Sequence, residues 1–238
     1  MWIDDYRLVA HRGLHDNATA APENSLPAFA RAVARGHGVE LDVHVTLDGE
    51  LVVFHDNTLA RMTGAEGVLE DQTLEELRGL RLLQTDCRIP LLSEVLAVLN
   101  GQVPLILEIK NDFKANLGRL ESRLIPMLEQ YGGKVVLESF NPHVVDWLRA
   151  HAPQYVRGQL ACEDESNWQQ MLYVRHFLFN PLTAPQFIAY DIDAIDWKIR
   201  TACRRRGIPL IAWTVRTEQQ LDKARRLCDG IIYEGLEL

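Results

Sequence analysis

Between Val39 and Asp56 the chain reads VELDVHVTLDGELVVFHD, with charged residues where a buried strand wants valine. Residues two apart on a strand share a face, so Glu40 and Asp42 point the same way. The run LILEIK repeats the arrangement with Glu108 and Lys110. Three carboxylates brought together repel one another unless a cation neutralises them, and such oxygen ligands suit Mg²⁺ or Ca²⁺ better than a softer metal. His11 closes the run RLVAH and His55 closes LVVFH. Two imidazoles titrating near working pH can divide the removal and the donation of a proton. Arg12 offers a planar fork for phosphate oxygens, and Lys110 adds a point charge. The whole set suits phosphoryl chemistry better than acyl or glycosyl chemistry.

Strand ends must carry these residues. Apolar runs at 7–11, 39–43, 105–109, 135–140, 156–160, 194–197, 210–215 and 230–233 read as strands. Amphipathic stretches at 25–35, 91–99, 117–130, 142–150, 165–174, 199–206 and 218–226 read as helices. The alternation predicts an α/β fold, a TIM (β/α)8 barrel, in which active sites gather at the C-terminal ends of the strands. A doubly wound sheet is the alternative, since periodicity does not show closure. Asp48-Gly49 is a hairpin signal, so residues 51–55 should return antiparallel and hang His55 over the same mouth. Residues 57–88 then form a small helical insertion after the second strand and its hairpin. Residues 177–180 read as loop or a short extra strand. The absence of repeats and low-complexity linkers makes 1–238 a single barrel domain.

Composition narrows the class. A net charge of −8 over 238 residues argues against general nucleic-acid binding, so an anionic substrate needs positive charge supplied locally. Cys87, Cys162, Cys203 and Cys228 form no CxxC pair, which points to neither a zinc site nor a disulfide framework. The start MWIDDYRLVAHRG lacks the basic and apolar regions of a signal peptide, and no apolar run reaches membrane-spanning length. The expectation is a cytoplasmic enzyme without a stable membrane anchor, acting on a small molecule.

Other polar residues read as structural. His44 shares a face with Glu40 and Asp42 but reads as a rim or solvated histidine rather than a ligand. His15, His37, His143, His151 and His176 are expected at the surface, and Arg204–Arg206 as a solvated helix end. Trp213 follows the pattern of a strand core residue.

HRG, PENS, ELDVHVTLDGELVVFHD, LARMTG, IPLLSEVL, LEIK, ESFN and AWTV occur in the order seen in glycerophosphodiester phosphodiesterases, and the chain resembles that family over nearly its whole length. The resemblance implies a TIM barrel with a small insertion after the HD motif. It implies that His11 and His55 are the acid–base pair and that Glu40, Asp42 and Glu108 hold one divalent cation, Mg²⁺ or Ca²⁺. Arg12 and Lys110 would bind phosphate, Trp213 would line the site, and Phe140 and Asn141 are weaker candidates for its wall. The implied reaction releases glycerol 3-phosphate and an alcohol from substrates such as glycerophosphocholine or glycerophosphoethanolamine.

Two departures from the family pattern, Arg216 after AWTV and Tyr233-Glu234 after DGII, fall at the rim and would affect the preference for the leaving alcohol. Two other readings are a phosphodiesterase for a lysophospholipid or sugar phosphodiester, and a non-catalytic phosphate-binding barrel. Both histidines and all three acids are present, which counts against the last.

Overall fold

The computed structural model describes residues 1–111, 116–162, 181 and 183–238. Its strands are β1 (Leu8–Ala10), β2 (Gly38–Val45), β3 (Leu51–Val53), β4 (Leu105–Ile109), β5 (Val135–Ser139), β6 (Val156–Ala161), β7 (Phe187–Asp191), β8 (Leu210–Val215) and β9 (Gly230–Tyr233). Apart from β3, each pairs in parallel with two neighbours. β1 closes the ring, with Val9 opposite Gly38 of β2 on one side and Ile232 of β9 on the other. The sheet is therefore a closed eight-stranded parallel barrel, and the TIM-barrel alternative is the one realised. Parallel strands covered on both faces read as near-continuous apolar runs, as LILEI and LIAWTV do here.

Alternation along each strand builds two cores. Outward side chains such as Leu105, Leu107 and Ile109 pack under the helices, including α1 (Leu26–Arg35) and α4 (Leu92–Leu99). Inward ones, among them Val9, Ile106, Val136, Ile211 and Ile232, fill the barrel. Two residues further along the same inward faces come His11, Glu108, Glu138, Trp213 and Glu234. The apolar floor thus gives way to a polar layer at the C-terminal mouth.

β3 pairs antiparallel with β2, Val43 opposite Val53 and Val45 opposite Leu51, so the hairpin returns as expected. Beyond it lie α2 (Ala60–Thr63), a 3₁₀ turn at Leu69–Asp71 and α3 (Leu74–Arg78), a small helical insertion. It has its own buried cluster of Leu59, Met62, Leu69, Leu77 and Leu82 against Val52 and Phe54 of the hairpin.

The strand expected at 194–197 is not there. The seventh barrel strand is Phe187–Asp191, whose run FIAYD pairs with β6 and β8. Residues 194–197 turn instead, because the Ala194 and Ile195 amides donate to the Asp191 carbonyl and the Asp196 side chain caps the helix Trp197–Arg206. Buried Ile195 mimics a strand residue, whereas Trp197 is 66% exposed. The helix expected over 117–130 is shorter, Glu121–Glu129. The helix expected at 165–174, the ambiguous residues 177–180 and His176 lie outside the described residues.

Candidate active site

Register sets the acids level with one another. Asp42 pairs with Glu108, and Glu108 with Glu138, across β2, β4 and β5. Glu40, Asp42 and Glu108 are buried, and one oxygen from each lies within 4.8 Å of the others. Burial, together with the charges of Asp42 and Glu108, pushes the Glu40 carboxyl well above its ordinary range. Burial and Glu108 do the same to Glu138, one of whose oxygens has no hydrogen-bond partner. Asp42 goes the other way: burial opposes ionisation, but the Lys110, His55 and Arg12 charges hold it well below. Lys110 Nζ sits 2.9 Å from Asp42 Oδ1 and 2.8 Å from Glu108 Oε1. This carboxylate-rich, oxygen-only set fits a hard divalent cation.

The loop after β1 closes round the acids. The Arg12 amide donates to Glu40 Oε2 at 3.0 Å, and the Asn24 side-chain amide donates to Asp42 Oδ2 at 2.9 Å. Gly13 has φ +79°, and a Cβ there would come within 2.9 Å of the Ala28 backbone on α1. Glycine is needed for both reasons.

Each candidate histidine has a carboxylate at Nδ1. His11 Nδ1 lies 3.0 Å from Glu234 Oε2, and His55 Nδ1 lies 2.6 Å from Asp56 Oδ1. Burial pushes the His11 pKa down to about 4 against the hydrogen bond to Glu234. A neutral imidazole in this contact donates its Nδ1–H to the carboxylate and leaves Nε2, 3.9 Å from Glu40, as the acceptor. Asp56 belongs to a chain of ion pairs. Arg61 donates to both Asp56 oxygens and both Glu23 oxygens, and Arg12 donates to Glu23 Oε1 at 2.7 Å. Burial alone would raise the Glu23 carboxyl, but hydrogen bonds from Arg61, the Arg12 charge and Asn17 bring it down to about 2.

A cavity of about 40 Å³ gathers His11, Arg12, Glu40, His55, Glu108 and Trp213 from the expected set. That is room for roughly three small ligands of water size. Asp42 and Lys110 are not in its lining: Lys110, expected to bind phosphate, is paired with Asp42 and Glu108 and lines a separate cavity. Glu138 and Phe140 also line it, Phe140 edge-on to Trp213 at 5.5 Å between ring centres. A second, wider groove of about 970 Å³ beneath the insertion has none of these residues in its lining.

Four expectations change. His44 is buried rather than solvated: its Nδ1 lies 3.1 Å from Glu70 of the insertion, and its Nε2 3.4 Å from the His55 carbonyl. His15 is not a surface histidine, since its side chain is 7% exposed. Asn141 caps the helix Pro142–His151 and donates to Asn111 rather than lining the cavity. Arg216 and Glu234 are partners at 3.1 Å, so the two departures meet at His11, while the Tyr233 hydroxyl bonds His37.

Sequence reasoning gave no role to Glu138, Glu23, Asn24, Asp56 or Arg61. Glu138 repeats the position of Glu108 at the end of VVLES, a signal in plain sight. Glu23, Asn24 and Arg61 stood in PENS and LARMTG without an assigned role, because their partners are distant in sequence.

An acid cluster and two imidazoles thus meet at the C-terminal mouth of a closed parallel barrel. A model of the glycerophosphoryl diester phosphodiesterase family matches residues 11–238, and the chain belongs to that family. It is 31% identical to the glycerophosphodiester phosphodiesterase of Caldanaerobacter subterraneus subsp. tengcongensis, over 97% of this chain and 94% of that protein. It is 36% identical to Homo sapiens glycerophosphodiester phosphodiesterase 1, over 90% of this chain and 73% of that protein. The crystal structure of the Thermotoga maritima glycerophosphodiester phosphodiesterase superposes with a TM-score of 0.73 at 25% identity, covering 96% of this chain and 94% of that one. An Oleispira antarctica phosphodiesterase, solved with the product sn-glycerol-3-phosphate, shares the fold at a TM-score of 0.80 and 24% identity, with 96% and 92% covered. Among the described residues no helix is long and apolar enough to cross a membrane.

Proposed function

We propose that the chain hydrolyses small glycerophosphodiesters, such as glycerophosphocholine and glycerophosphoethanolamine, to glycerol 3-phosphate and the free alcohol. We assign the acid–base pair to His11 and His55, and the ligands of one Mg²⁺ or Ca²⁺ to Glu40, Asp42 and Glu108. We take 1–238 as one barrel domain with 57–88 inserted. The observation that carries the reading is that both imidazoles border one small cavity with Glu40 and Glu108.

A divalent cation at the acids would supply Lewis-acid stabilisation of charge building on the phosphoryl oxygens. The chain's own residues do the rest. Glu234 keeps the His11 proton on Nδ1, so Nε2 is free to accept one. Asp56 aligns the His55 ring in the same way from the other side. Arg12, steadied on one edge by Glu23, presents positive charge to the phosphate, and Lys110 offsets the crowding of the acids behind it. The attacking oxygen, from water or the glycerol 2-hydroxyl, bonds to phosphorus and gives up its proton to one imidazole; attack by the hydroxyl forms a cyclic phosphodiester that a water then opens at phosphorus to give glycerol 3-phosphate. The P–O bond to the alcohol breaks, and the other imidazole protonates the departing oxygen. Trp213 and Phe140 form the apolar wall.

The test is a panel of glycerophosphodiesters crossed with divalent metals and coupled to glycerol 3-phosphate detection. Turnover that stops on chelation supports the proposal. Undiminished turnover in excess EDTA removes the metal from it.

A further inference from the structure

Beside the carboxylate cluster lies a second set of metal-ligating side chains that the reaction does not use as a unit. His11, His15 and Glu234 each offer one ligand atom within 4.8 Å of the other two. His11 Nδ1 is 3.0 Å from Glu234 Oε2, and His15 Nε2 is 3.9 Å from Glu234 Oε1. Donors bonded tetrahedrally at about 2.0–2.1 Å stand roughly 3.3 Å apart, so the His11–Glu234 pair already lies near that spacing and His15 must approach Glu234 by about half an ångström.

His15 is the residue without an occupation. Its side chain is 7% exposed, and neither buried ring nitrogen has a hydrogen-bond partner. A buried imidazole with both nitrogens unpaired costs free energy that a ligand would recover. No hydrogen bond holds the ring against a small rotation toward Glu234. Glu234 is suited to bridging: Arg216 and His11 both use Oε2, leaving Oε1 on the His15 side.

We propose that His11, His15 and Glu234 form a second cation site, selective for a borderline transition ion such as Zn²⁺, whose occupancy withdraws His11 from catalysis. Two imidazoles and one carboxylate favour Zn²⁺, Co²⁺ or Ni²⁺ over Mg²⁺ and Ca²⁺, in contrast to the oxygen-only cluster beside them. The ion takes the lone pair of His11 Nδ1, the proton there moves to Nε2, and Nε2 becomes an N–H donor that no longer accepts a proton. The inhibitory consequence rests on the proposed role of His11, whereas the binding site does not.

The test compares wild type with His15→Phe and His15→Gln, all saturated with Mg²⁺. Zn²⁺ binding is followed by calorimetry and the coordination by the visible ligand-field bands of Co²⁺. The site predicts one more bound Zn²⁺ in wild type than in either variant, and histidine-ligated Co²⁺ bands that both variants lose. It also predicts that the variants keep their Mg²⁺-dependent turnover but need at least tenfold more Zn²⁺ to be inhibited. Equal zinc stoichiometry and identical Co²⁺ spectra in all three proteins would overturn it. Lack of phosphodiesterase activity leaves the calorimetric and spectroscopic comparison intact, so failure of the proposed function is separable from failure of the site.

Discussion

His11 and Glu234, separated by 223 positions in sequence, meet at 3.0 Å across the junction of β1 and β9. Barrel closure creates the contact, since Ala10 pairs with Tyr233 and the next residue of each strand carries the imidazole and the carboxylate. Glu234 is held in turn by Arg216 at the end of β8. Its carboxyl lies near 2, chiefly through the hydrogen bond with His11, with burial opposing.

If Glu234 fixes the His11 tautomer, Glu234→Ala lowers kcat by about a hundredfold or more, the order of rate a correctly held acid–base group supplies. KM should stay within about twofold, because Glu234 is not among the residues lining the cavity. Glu234→Asp restores part of kcat. Steady-state kinetics on the three proteins checks it, and a loss confined to KM contradicts the positioning role.

Arg61 joins the carboxylates that hold His55 and Arg12. Arg61→Ala leaves Glu23 buried beside fewer donors and should destabilise the fold by about 2 kcal/mol. That is less than for a fully buried pair because Arg61 is partly exposed. The sign with pH follows from the Glu23 carboxyl, which titrates at about 2 folded against an ordinary value of 4.5. Its contribution is complete above the ordinary value and is lost as pH falls through that window toward 2. Urea unfolding at pH 6 and pH 3 therefore shows a smaller gap between wild type and Glu23→Gln at the lower pH. A gap that widens on acidification contradicts the network.

Crowded acids destabilise a barrel that has no cation to neutralise them. Glu40→Gln keeps an oxygen for the Arg12 amide yet removes one charge. In EDTA this variant should melt above wild type, and its Tm should rise less on addition of Mg²⁺ or Ca²⁺. Thermal melts with and without metal measure both. An unchanged metal response would remove Glu40 from the ligand set.

The legibility of the chain in sequence follows the range of the interactions. Alternation within one strand carried Glu40 with Asp42 and Glu108 with Lys110, and Asp48-Gly49 announced the hairpin that delivers His55. Partners from elements distant in sequence were invisible. Glu234 acquires its meaning from closure of the ring, and Arg61 from the insertion folding back on PENS. The seventh strand was misplaced by three apolar residues just beyond it, Ile192, Ala194 and Ile195, two of which are buried in a turn rather than in the sheet. His15 was read as a surface residue because its burial comes from the closing loop, not from any local pattern.

The central claim is that His11 and His55 act on one phosphorus, and single-turnover rates of His11→Ala, His55→Ala and the double variant test it most directly. The account predicts that each single substitution lowers the chemical rate by about 10²–10⁴-fold, and that the double variant is far less impaired than the product of the two. Either single variant turning over a glycerophosphodiester at the wild-type rate would contradict it.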